Sequence, residues 1–176
     1  MPAKAKALPR LSRVQELLNY DATTGNFCWL QSGPGRSADL KAGWTCSTHG
    51  YCFVKIDGCI FPAHRLAWLF ATGQDPADME IDHINGDRSD NRFSNLRLAD
   101  NRENQCNIGI ARNNTSGVKG VYWHSRDQKW IAKVKKHGIH VHVGTFSDLE
   151  TAAAAVQKAR AELHGEFANH GAQELF

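Results

Sequence analysis

Residues 80–107 read EIDHINGDRSDNRFSNLRLADNRENQCN, two short apolar runs on either side of a polar loop. The run at 79–84 ends in Asn-Gly, a strong turn signal, and the apolar alternation at 96–98 predicts a second strand. Asp100, with a glutamate three residues later, is typical of a helix N-cap. The segment therefore predicts a strand, a loop, a second strand and a helix in close succession.

Three polar side chains of this segment would suit the hydrolysis of a phosphodiester if the strand and the helix converge. Asp82 and His83 are neighbours on the first predicted strand, so they point to opposite faces. A neutral imidazole near pH 7 suits His83 to accept a proton from water. Asp82 and Asn104 offer oxygen ligands to one divalent cation, which favours Mg²⁺ or Mn²⁺ over Zn²⁺.

Other interpretations of the same segment stay open. Asp, Asn and Gly between two short strands also form an ordinary turn, and His83 alone could be a hydrogen-bonded core histidine. A calcium site is disfavoured because the stretch from Asp82 to Asn91 lacks the bidentate glutamate at EF-hand spacing. We favour the nuclease interpretation because several functional positions fall in register rather than one.

The segment resembles the H-N-H endonucleases, specifically the phage and intron-borne homing-endonuclease branch. The matching stretches are Ile81–Asp87, Asp90-Asn91, Asn95–Arg97, Glu103-Asn104 and Asn107. The resemblance implies a ββα-metal motif in which His83 is the general base and Asp82 with Asn104 holds a single metal ion. It also implies that Asn95 braces the motif and orients the base. Many relatives carry His where this chain has Asn104, although Asn is common there in the phage branch.

A second informative stretch lies further along the chain. Alternating runs at 117–123, 129–136 and 139–146 predict a three-stranded antiparallel meander. On the middle run, Lys133 and Lys135 would share the face opposite the small apolar residues. Such a small sheet needs a cover.

The cover of this sheet is predicted from the residues that follow it. Ser147 with Glu150 predicts a capping box for a helix that runs to about Leu163, with Gly165 just beyond its end. Small side chains at helical spacing would let this helix sit close to the sheet.

This second block resembles the apetala or ethylene-response-factor type of DNA-binding domain, in the version that phage homing endonucleases carry after their nuclease motif. The matching features are Ser116–Val121, Lys129-Trp130, Gly144 with Phe146, and Leu163–Ala168. The resemblance implies that the sheet lies in the DNA major groove and that contacts come from its exposed face. The residues expected to contact DNA are Trp123, Arg126, Lys133 and Lys135, with Trp130 divided between core and contact.

The charge distribution independently favours double-stranded DNA as the partner. The whole chain has a net charge of only +3. Residues 111–146 nevertheless hold a single acid, Asp127, against seven basic residues: Arg112, Lys119, Arg126, Lys129, Lys133, Lys135 and Lys136. Basicity is therefore concentrated where a phosphate backbone would dock. The alternative is that a lysine-rich strand face is merely solvated.

The N-terminal third is organised but carries less chemistry. Apolar spacing predicts a short amphipathic helix from Leu11 to Tyr20, a hairpin over 50–62 with Asp-Gly at its tip, and a helix over 63–71. The stretches 20–29 and 64–68 also resemble phage H-N-H proteins. We expect His64 and its neighbour Arg65 to pack and hydrogen-bond around the motif, with contact to DNA as the alternative.

Together these elements predict an α+β fold. A ββα-metal (H-N-H) motif follows a small β-hairpin and helix region and precedes a three-stranded antiparallel sheet packed on one helix. The predicted divisions are a disordered basic tail at 1–10, an H-N-H nuclease domain at 11–111 with its catalytic motif at 80–107, a linker at 112–116, a DNA-binding domain at 117–170 and a tail at 171–176.

The cysteine spacing and the hydropathy of the chain indicate whether it binds zinc or a membrane. The five cysteines lack paired C-x-x-C spacing, so we expect free thiols and disfavour a structural zinc. Three or four of them could still meet at a zinc, because spatial neighbours cannot be read from spacing. No apolar stretch is long enough for a bilayer, and we expect no membrane partner and a cytoplasmic protein of phage or bacterial origin.

Three functions are compatible with these features. The first is a metal-dependent DNA endonuclease that nicks or cuts double-stranded DNA, as a monomer or a homodimer, with the basic sheet choosing the site. The second is a non-catalytic, sequence-specific DNA-binding regulator. The third is a structural phage or nucleoid protein. Because Asp82, His83 and Asn104 are all intact, we favour the endonuclease.

Overall fold

The computed structural model describes residues 7–171, without the side chains of Asn101 and Arg102. The first six residues of the predicted basic tail and residues 172–176 of the predicted C-terminal tail lie outside the described residues. The chain has a mixed α and β fold with several small sheets, which confirms the predicted fold class at that level. It forms two compact units that divide between Asp100 and Asn101. The limits given above for functional domains stay predictions.

The first unit is built from short elements and small antiparallel sheets. Its elements are α1 (Leu11–Leu17), β1 (Leu18–Asp21), β2 (Asn26–Trp29), β3 (Trp44–Thr45), β4 (Cys52–Ile56), β5 (Cys59–Pro62), α2 (Ala63–Thr72), β6 (Glu80–His83), a 3₁₀ turn (Phe93–Asn95) and β7 (Leu96–Ala99). β1 pairs with β2, β4 lies between β3 and β5, and β6 pairs with β7. The hairpin and helix predicted over 50–71 are β4, β5 and α2.

The first helix is shorter than the sequence predicts. It ends at Leu17, and the backbone of Leu18 is extended, with φ −129° and ψ 140°. Leu18 and Tyr20 are both buried on β1, whereas the residues beside them are exposed. This alternation has the period of a strand, because a helix would send residues two apart to different sides. The prediction of a helix as far as Tyr20 was therefore wrong.

One hydrophobic core supports the first unit and includes the strands of the motif. Val14 and Leu17 of α1 and Leu66 of α2 lie in this core. Ile81 on β6 and Leu96 on β7 belong to the same cluster. Ile81 precedes Asp82 in the chain, and Leu96 follows Asn95. Burial of Ile81 and Leu96 therefore fixes the two paired strands that carry Asp82 and His83.

Within residues 101–171, the second unit consists of one sheet and three helical segments. Its elements are α3 (Asn101–Cys106), β8 (Val121–His124), β9 (Lys129–Lys136), β10 (Ile139–Phe146), α4 (Leu149–His164) and a 3₁₀ turn (Gly165–Phe167). The antiparallel sheet has the order β10-β9-β8. Ala152 and Val156 of α4 form a core with Val121, Ala132 and Val134 of the sheet. One face of the sheet is thus covered by α4.

The N-cap of α4 lies one residue later than the sequence predicts. Asp148, not Ser147, is the cap, and its carboxylate accepts a hydrogen bond from the backbone nitrogen of Thr151 at 2.7 Å. The Thr151 hydroxyl donates to the other oxygen of Asp148 at 2.8 Å. Because one side chain receives both donors, Asp148 satisfies the first turn better than a capping box between Ser147 and Glu150 would.

This cap assignment predicts different outcomes for two neighbouring alanine substitutions. Asp148→Ala should lower the melting temperature by a few degrees, because the first turn of α4 loses its acceptor. Ser147→Ala is the matched control and should leave the melting temperature unchanged. Thermal denaturation followed by circular dichroism measures both. An equal loss in the two variants would contradict the assignment.

Candidate functional site

Asp82 and His83 sit on β6, where pairing with β7 determines their neighbours. Asp82 lies opposite Arg97, and His83 lies opposite Leu96. Asp82 is 5% exposed and His83 is 4% exposed. The Nε and Nη2 atoms of Arg97 both donate to Oδ2 of Asp82, at 2.8 and 2.6 Å. This ion pair holds the buried carboxylate in one orientation. Sequence reasoning gave Arg97 no role, because the contact follows from the strand register alone.

Asn95 closes the polar loop that joins these strands. Its backbone oxygen accepts from the nitrogen of Ile84 at 2.9 Å, and its Oδ1 accepts from the nitrogen of Asn85 at 3.0 Å. Its Nδ2 donates to Oδ1 of Asn85 at 3.0 Å and to the backbone oxygen of Asp90 at 2.9 Å. These contacts tie the start and the middle of the loop to Asn95 at its end, and the bracing role of Asn95 stays a prediction.

The loop residue that contacts His83 is Asn91, which sequence reasoning left without a role. Oδ1 of Asn91 lies 3.4 Å from Nε2 of His83, and Nδ2 of Asn91 donates to the backbone oxygen of Ser89 at 3.0 Å. The Tyr20 hydroxyl donates to the backbone oxygen of Asn91 at 2.7 Å. At Gly25, a Cβ would lie 2.5 Å from the carbonyl carbon of Asn91, so only glycine permits this approach.

Aromatic rings surround the imidazole of His83. The ring centroid of His64 lies 5.2 Å from that of His83 in an edge-to-face arrangement, and the ring of Tyr51 lies at 6.0 Å. Burial lowers the pKa of His83 below its ordinary value, although the hydrogen bond to Asn91 and the charge of Asp82 oppose that effect. His83 is therefore neutral near pH 7 and able to accept a proton.

His64 and Arg65, at the start of α2, support the site in the way that the packing interpretation predicts. Nδ1 of His64 is shielded from water and has no hydrogen-bond partner among the residues that the structure describes. Burial lowers the pKa of His64 to about 3, so its ring stays neutral. Arg65 donates to Asp75 at 2.9 Å and to the backbone oxygen of Ala77 at 3.2 Å. Arg65 thereby ties α2 to the segment that leads into β6.

Asn104 lies on α3, in the second unit, and is half-buried. The convergence of Asn104 with Asp82 on one metal ion stays a prediction. Within residues 7–171 there is no group of three or more His, Cys, Asp or Glu side chains that could hold a metal ion. One carboxylate and one amide would not form such a group, and they match the oxygen ligands that Mg²⁺ and Mn²⁺ prefer.

The register of the second sheet divides the predicted DNA-contacting residues between its two faces. Trp123 is paired with Trp130, and Val121 is paired with Ala132, so both tryptophans lie on the face that α4 covers. Their ring centroids are 4.9 Å apart, and Trp123 is still 44% exposed. An exposed-face position for Trp123 is therefore wrong, although its contact with DNA stays a prediction.

The face of the sheet opposite α4 holds the two predicted lysines and several residues that were not predicted from the sequence. Lys133 is paired with His142, and Lys135 is paired with His140. Nζ of Lys133 lies 5.2 Å from the ring centroid of Tyr122 on β8. Arg126 is exposed in the turn between β8 and β9. We call the side that carries Tyr122, Lys133, Lys135, His140 and His142 the open face.

Comparison with known proteins identifies the family. Residues 61–106, from β5 to the end of α3, match the family model described as HNH endonuclease. The chain is 37% identical over 105 residues to protein 3.8 of Escherichia phage T7. The alignment covers 60% of this chain and 86% of the phage protein. The chain belongs to the HNH endonuclease family. The matched segment of this HNH nuclease includes Asp82, His83, Asn95 and Asn104.

A second relative of this HNH nuclease is an uncharacterized HNH endonuclease of Acanthamoeba polyphaga mimivirus, 33% identical over 129 residues. That alignment covers 73% of this chain and 66% of the mimivirus protein. No solved structure matches the chain. HNH nucleases generally use a divalent metal ion. None of the helices within residues 7–171 is long and apolar enough to cross a membrane.

The low pKa of His64 predicts that acid destabilises the first unit. An unfolded chain protonates this ring near its ordinary value of 6.5, whereas the folded chain resists protonation down to about 3. The stabilising contribution is complete above pH 6.5 and is lost as the pH falls toward 3. Between about pH 7 and about pH 5, the wild type should lose on the order of 1 to 2 kcal/mol of unfolding free energy relative to His64→Phe.

Urea denaturation of both proteins at several pH values measures this difference. His49→Phe, at an exposed histidine of the same unit, is the control and should keep the pH dependence of the wild type. Parallel curves for the wild type and His64→Phe would show that the ring is protonated in the folded state.

Proposed function

We propose that this chain is a metal-dependent DNA endonuclease that hydrolyses phosphodiester bonds and nicks or cuts double-stranded DNA. The observation that carries the proposal is the state of His83 within the matched HNH segment. The imidazole is buried, kept neutral and fixed by Asn91, and the next residue in the chain is the ion-paired Asp82. A core histidine that served packing alone would not need an anionic neighbour oriented by Arg97.

His83 acts in this proposal as the general base that takes a proton from the attacking water. Nδ2 of Asn91 donates to the backbone oxygen of Ser89, so the oxygen of that amide faces His83. An amide oxygen only accepts hydrogen bonds, so this contact favours the tautomer in which Nε2 of His83 carries the hydrogen. The lone pair then lies on Nδ1, which is the atom that receives the proton from water.

Asp82 and Asn104 would hold one divalent metal ion, Mg²⁺ or Mn²⁺. The donors are a carboxylate and an amide oxygen, and few protein ligands suffice when phosphate and water complete the shell. A bound metal ion would stabilise the negative charge that develops on the phosphate and on the leaving oxygen. Arg97 orients the carboxylate through Oδ2. Asn95 positions the base indirectly, because it holds the loop on which Asn91 lies.

His83→Ala should lower the rate of plasmid nicking by about 100-fold or more, because the attacking water loses its base. Its affinity for DNA should stay that of the wild type. The assay is conversion of supercoiled plasmid with Mg²⁺, with Mn²⁺ or with EDTA, and His49→Ala is the control at an exposed histidine. Open circles alone would indicate a nicking enzyme, and early linear product would indicate paired subunits. Undiminished cleavage by His83→Ala would contradict the assignment of the base.

The β8-β9-β10 sheet serves in this proposal as a DNA-binding module of the apetala or ethylene-response-factor type. The register of Lys133 and Lys135 supports contact through the open face, where His140 and His142 lie beside them. The face opposite is packed against α4. Cations without neighbouring acids attract a phosphate backbone, and aromatic rings such as Tyr122 stack or pack beside it. Trp123 and Arg126 would contact DNA from the end of the sheet near the β8 to β9 turn.

Removal of single charges from the open face should weaken DNA binding without affecting the fold. Lys133→Ala and Lys135→Ala should each reduce affinity and lower the slope of log affinity against log salt by about 1, because one phosphate contact is lost. Lys158→Ala, at an exposed position of α4, is the matched control. Fluorescence anisotropy with a labelled duplex, in EDTA and over a salt series, measures both quantities. Equal salt slopes in all four proteins would exclude the open face as the docking surface.

A further inference from the structure

The helix that carries Asn104 depends on its surroundings for its position. α3 has only 6 residues, from Asn101 to Cys106. Isolated helices of this length are marginal in water, because the free energy of nucleation is unfavourable and few hydrogen bonds form to offset it. Its last carbonyl groups also have no partners within the helix. The contacts at its C-terminal end therefore determine where Asn104 lies.

Lys119 binds that end of α3. Its Nζ donates to the backbone oxygen of Cys106 at 3.2 Å, to that of Asn169 at 2.8 Å and also to that of Ile108. An ammonium group has three hydrogens, so these carbonyl groups use its full capacity. A cation at the C-terminus also complements the negative end of the helix dipole.

Asn169 binds the residue that follows α3. Its Nδ2 donates to the backbone oxygen of Asn107 at 2.9 Å and to the side-chain oxygen of Asn107 at 2.8 Å. The backbone nitrogen of Asn107 donates to the backbone oxygen of Asn104 at 3.2 Å. The nitrogen of Gly171 donates to Oδ1 of Asn169 at 2.7 Å, which fixes the orientation of the amide. Asn169 is thus one hydrogen-bonded step from Asn104.

The backbone of Lys119 is locked in turn against the sheet and α4. The next residue, Gly120, has φ +80°, and a Cβ there would lie 2.4 Å from the backbone oxygen of Lys133. The nitrogen of Lys133 donates to the oxygen of Gly120 at 2.8 Å. Arg160, 2% exposed, donates from Nη2 to the oxygen of Lys119 at 2.5 Å. Contacts therefore run without a break from β9 and α4 to the end of α3.

The charges in this cluster are unusual for a purely structural core. Among the residues that the structure describes, neither Lys119 nor Arg160 forms an ion pair, and burial lowers the pKa of Lys119 to about 8. Burial of a cation has an unfavourable desolvation free energy, and hydrogen bonds to backbone carbonyl groups offset only part of it. An apolar side chain would pack the same space without that cost, but it would not hold three carbonyl groups in place.

We propose that Lys119 and Asn169 are positioning residues for the nuclease centre, which fasten the C-terminal end of α3 to the sheet and so set Asn104 for the metal ion. The inference rests on the proposed role of Asn104 as a metal ligand. It gives the second sheet a role besides DNA binding, because β9, whose side chains Lys133 and Lys135 we assign to DNA, also holds the helix of a metal ligand.

The test compares Mn²⁺ binding by the full chain and by variants of equal size. Lys119→Met keeps the length of the side chain but donates no hydrogen bond, and Asn169→Asp replaces the Nδ2 donor with an oxygen. Each should weaken Mn²⁺ binding by about tenfold, as loss of a group behind a metal ligand does. Lys158→Met on α4 is the matched control. Free Mn²⁺ in the titration is measured by electron paramagnetic resonance.

Two further readouts separate positioning from general damage. Excess Mn²⁺ should restore plasmid nicking by Lys119→Met and Asn169→Asp to nearly the wild-type rate, and DNA affinity in EDTA should stay within about twofold. A loss of DNA affinity as large as the loss of Mn²⁺ affinity would overturn the inference, because it would mark a general structural role. If Lys119→Met does not fold by circular dichroism, the result for Asn169→Asp decides.

Substitution of the two proposed metal ligands, Asp82 and Asn104, distinguishes a failure of the positioning role from a failure of the proposed metal site. Asp82→Ala and Asn104→Ala should both weaken Mn²⁺ binding. If neither does, the proposed metal site is wrong. If both do while Lys119→Met and Asn169→Asp bind Mn²⁺ within twofold of the wild type, the metal site stands and the positioning role is overturned.

Discussion

The structure of the site depends on one buried amide. Asn95, at the end of the polar loop, holds the nitrogen atoms of Ile84 and Asn85 at the start of the loop and the backbone oxygen of Asp90 near its middle. A polar loop of this length buries little apolar surface, so hydrophobic burial does not offset the conformational entropy that the loop loses when it becomes ordered. Hydrogen bonds to a side chain that β7 anchors supply that order instead. The position of Asn91, and through it that of His83, follows from this closure.

Elements near the N-terminus of the first unit also hold Asn91, and through it they position the imidazole of His83. Tyr20 on β1 binds the backbone of Asn91, and the turn after β1 needs glycine at Gly25 to approach that backbone. The rings of His64 and Tyr51 then pack beside the imidazole, with centroids 5.2 and 6.0 Å from it. Burial alone would lower the pKa of His83 further, and the Asn91 contact limits the shift. The N-terminal half of the first unit thus determines the surroundings of an imidazole that lies on a later strand.

Local pattern predicts much of this structure, whereas register and loop closure lie beyond it. The turn signal after Ile84 and the alternation at 96–98 suffice to predict β6 and β7. The ion pair of Asp82 with Arg97 requires the pairing of two strands, and the contact of Asn91 with His83 requires a folded loop. Neither contact has a periodic signature in the sequence. The sequence therefore predicts that Asp82 and His83 lie on one strand, whereas the residues that contact them are apparent only in the structure.

The errors at element ends have a common physical cause. Ser147 and Asp148 are both good N-caps, so a shift of one residue costs little unless a second donor, here Thr151, favours one of them. Leu18 and Tyr20 fit either a helix or a strand until β2 supplies a partner. The face of Trp123 depends on its pairing with Trp130, which alternation alone does not specify. For Leu18, Tyr20 and Trp123, strand pairing decides between local choices of similar energy, and for Asp148 a second hydrogen bond within the first turn does so.

The ion pair between Arg97 and Asp82 also bears on how the proposed metal site would work. A carboxylate that already shares charge with a guanidinium attracts a cation less strongly than an isolated carboxylate does. With an uncharged amide as the second protein ligand, the site would bind Mg²⁺ or Mn²⁺ weakly in the absence of DNA. A substrate phosphate adds the missing negative charge and oxygen ligands. Metal and DNA would therefore bind cooperatively, and the free chain would bind Mn²⁺ measurably but more weakly than the complex with DNA does.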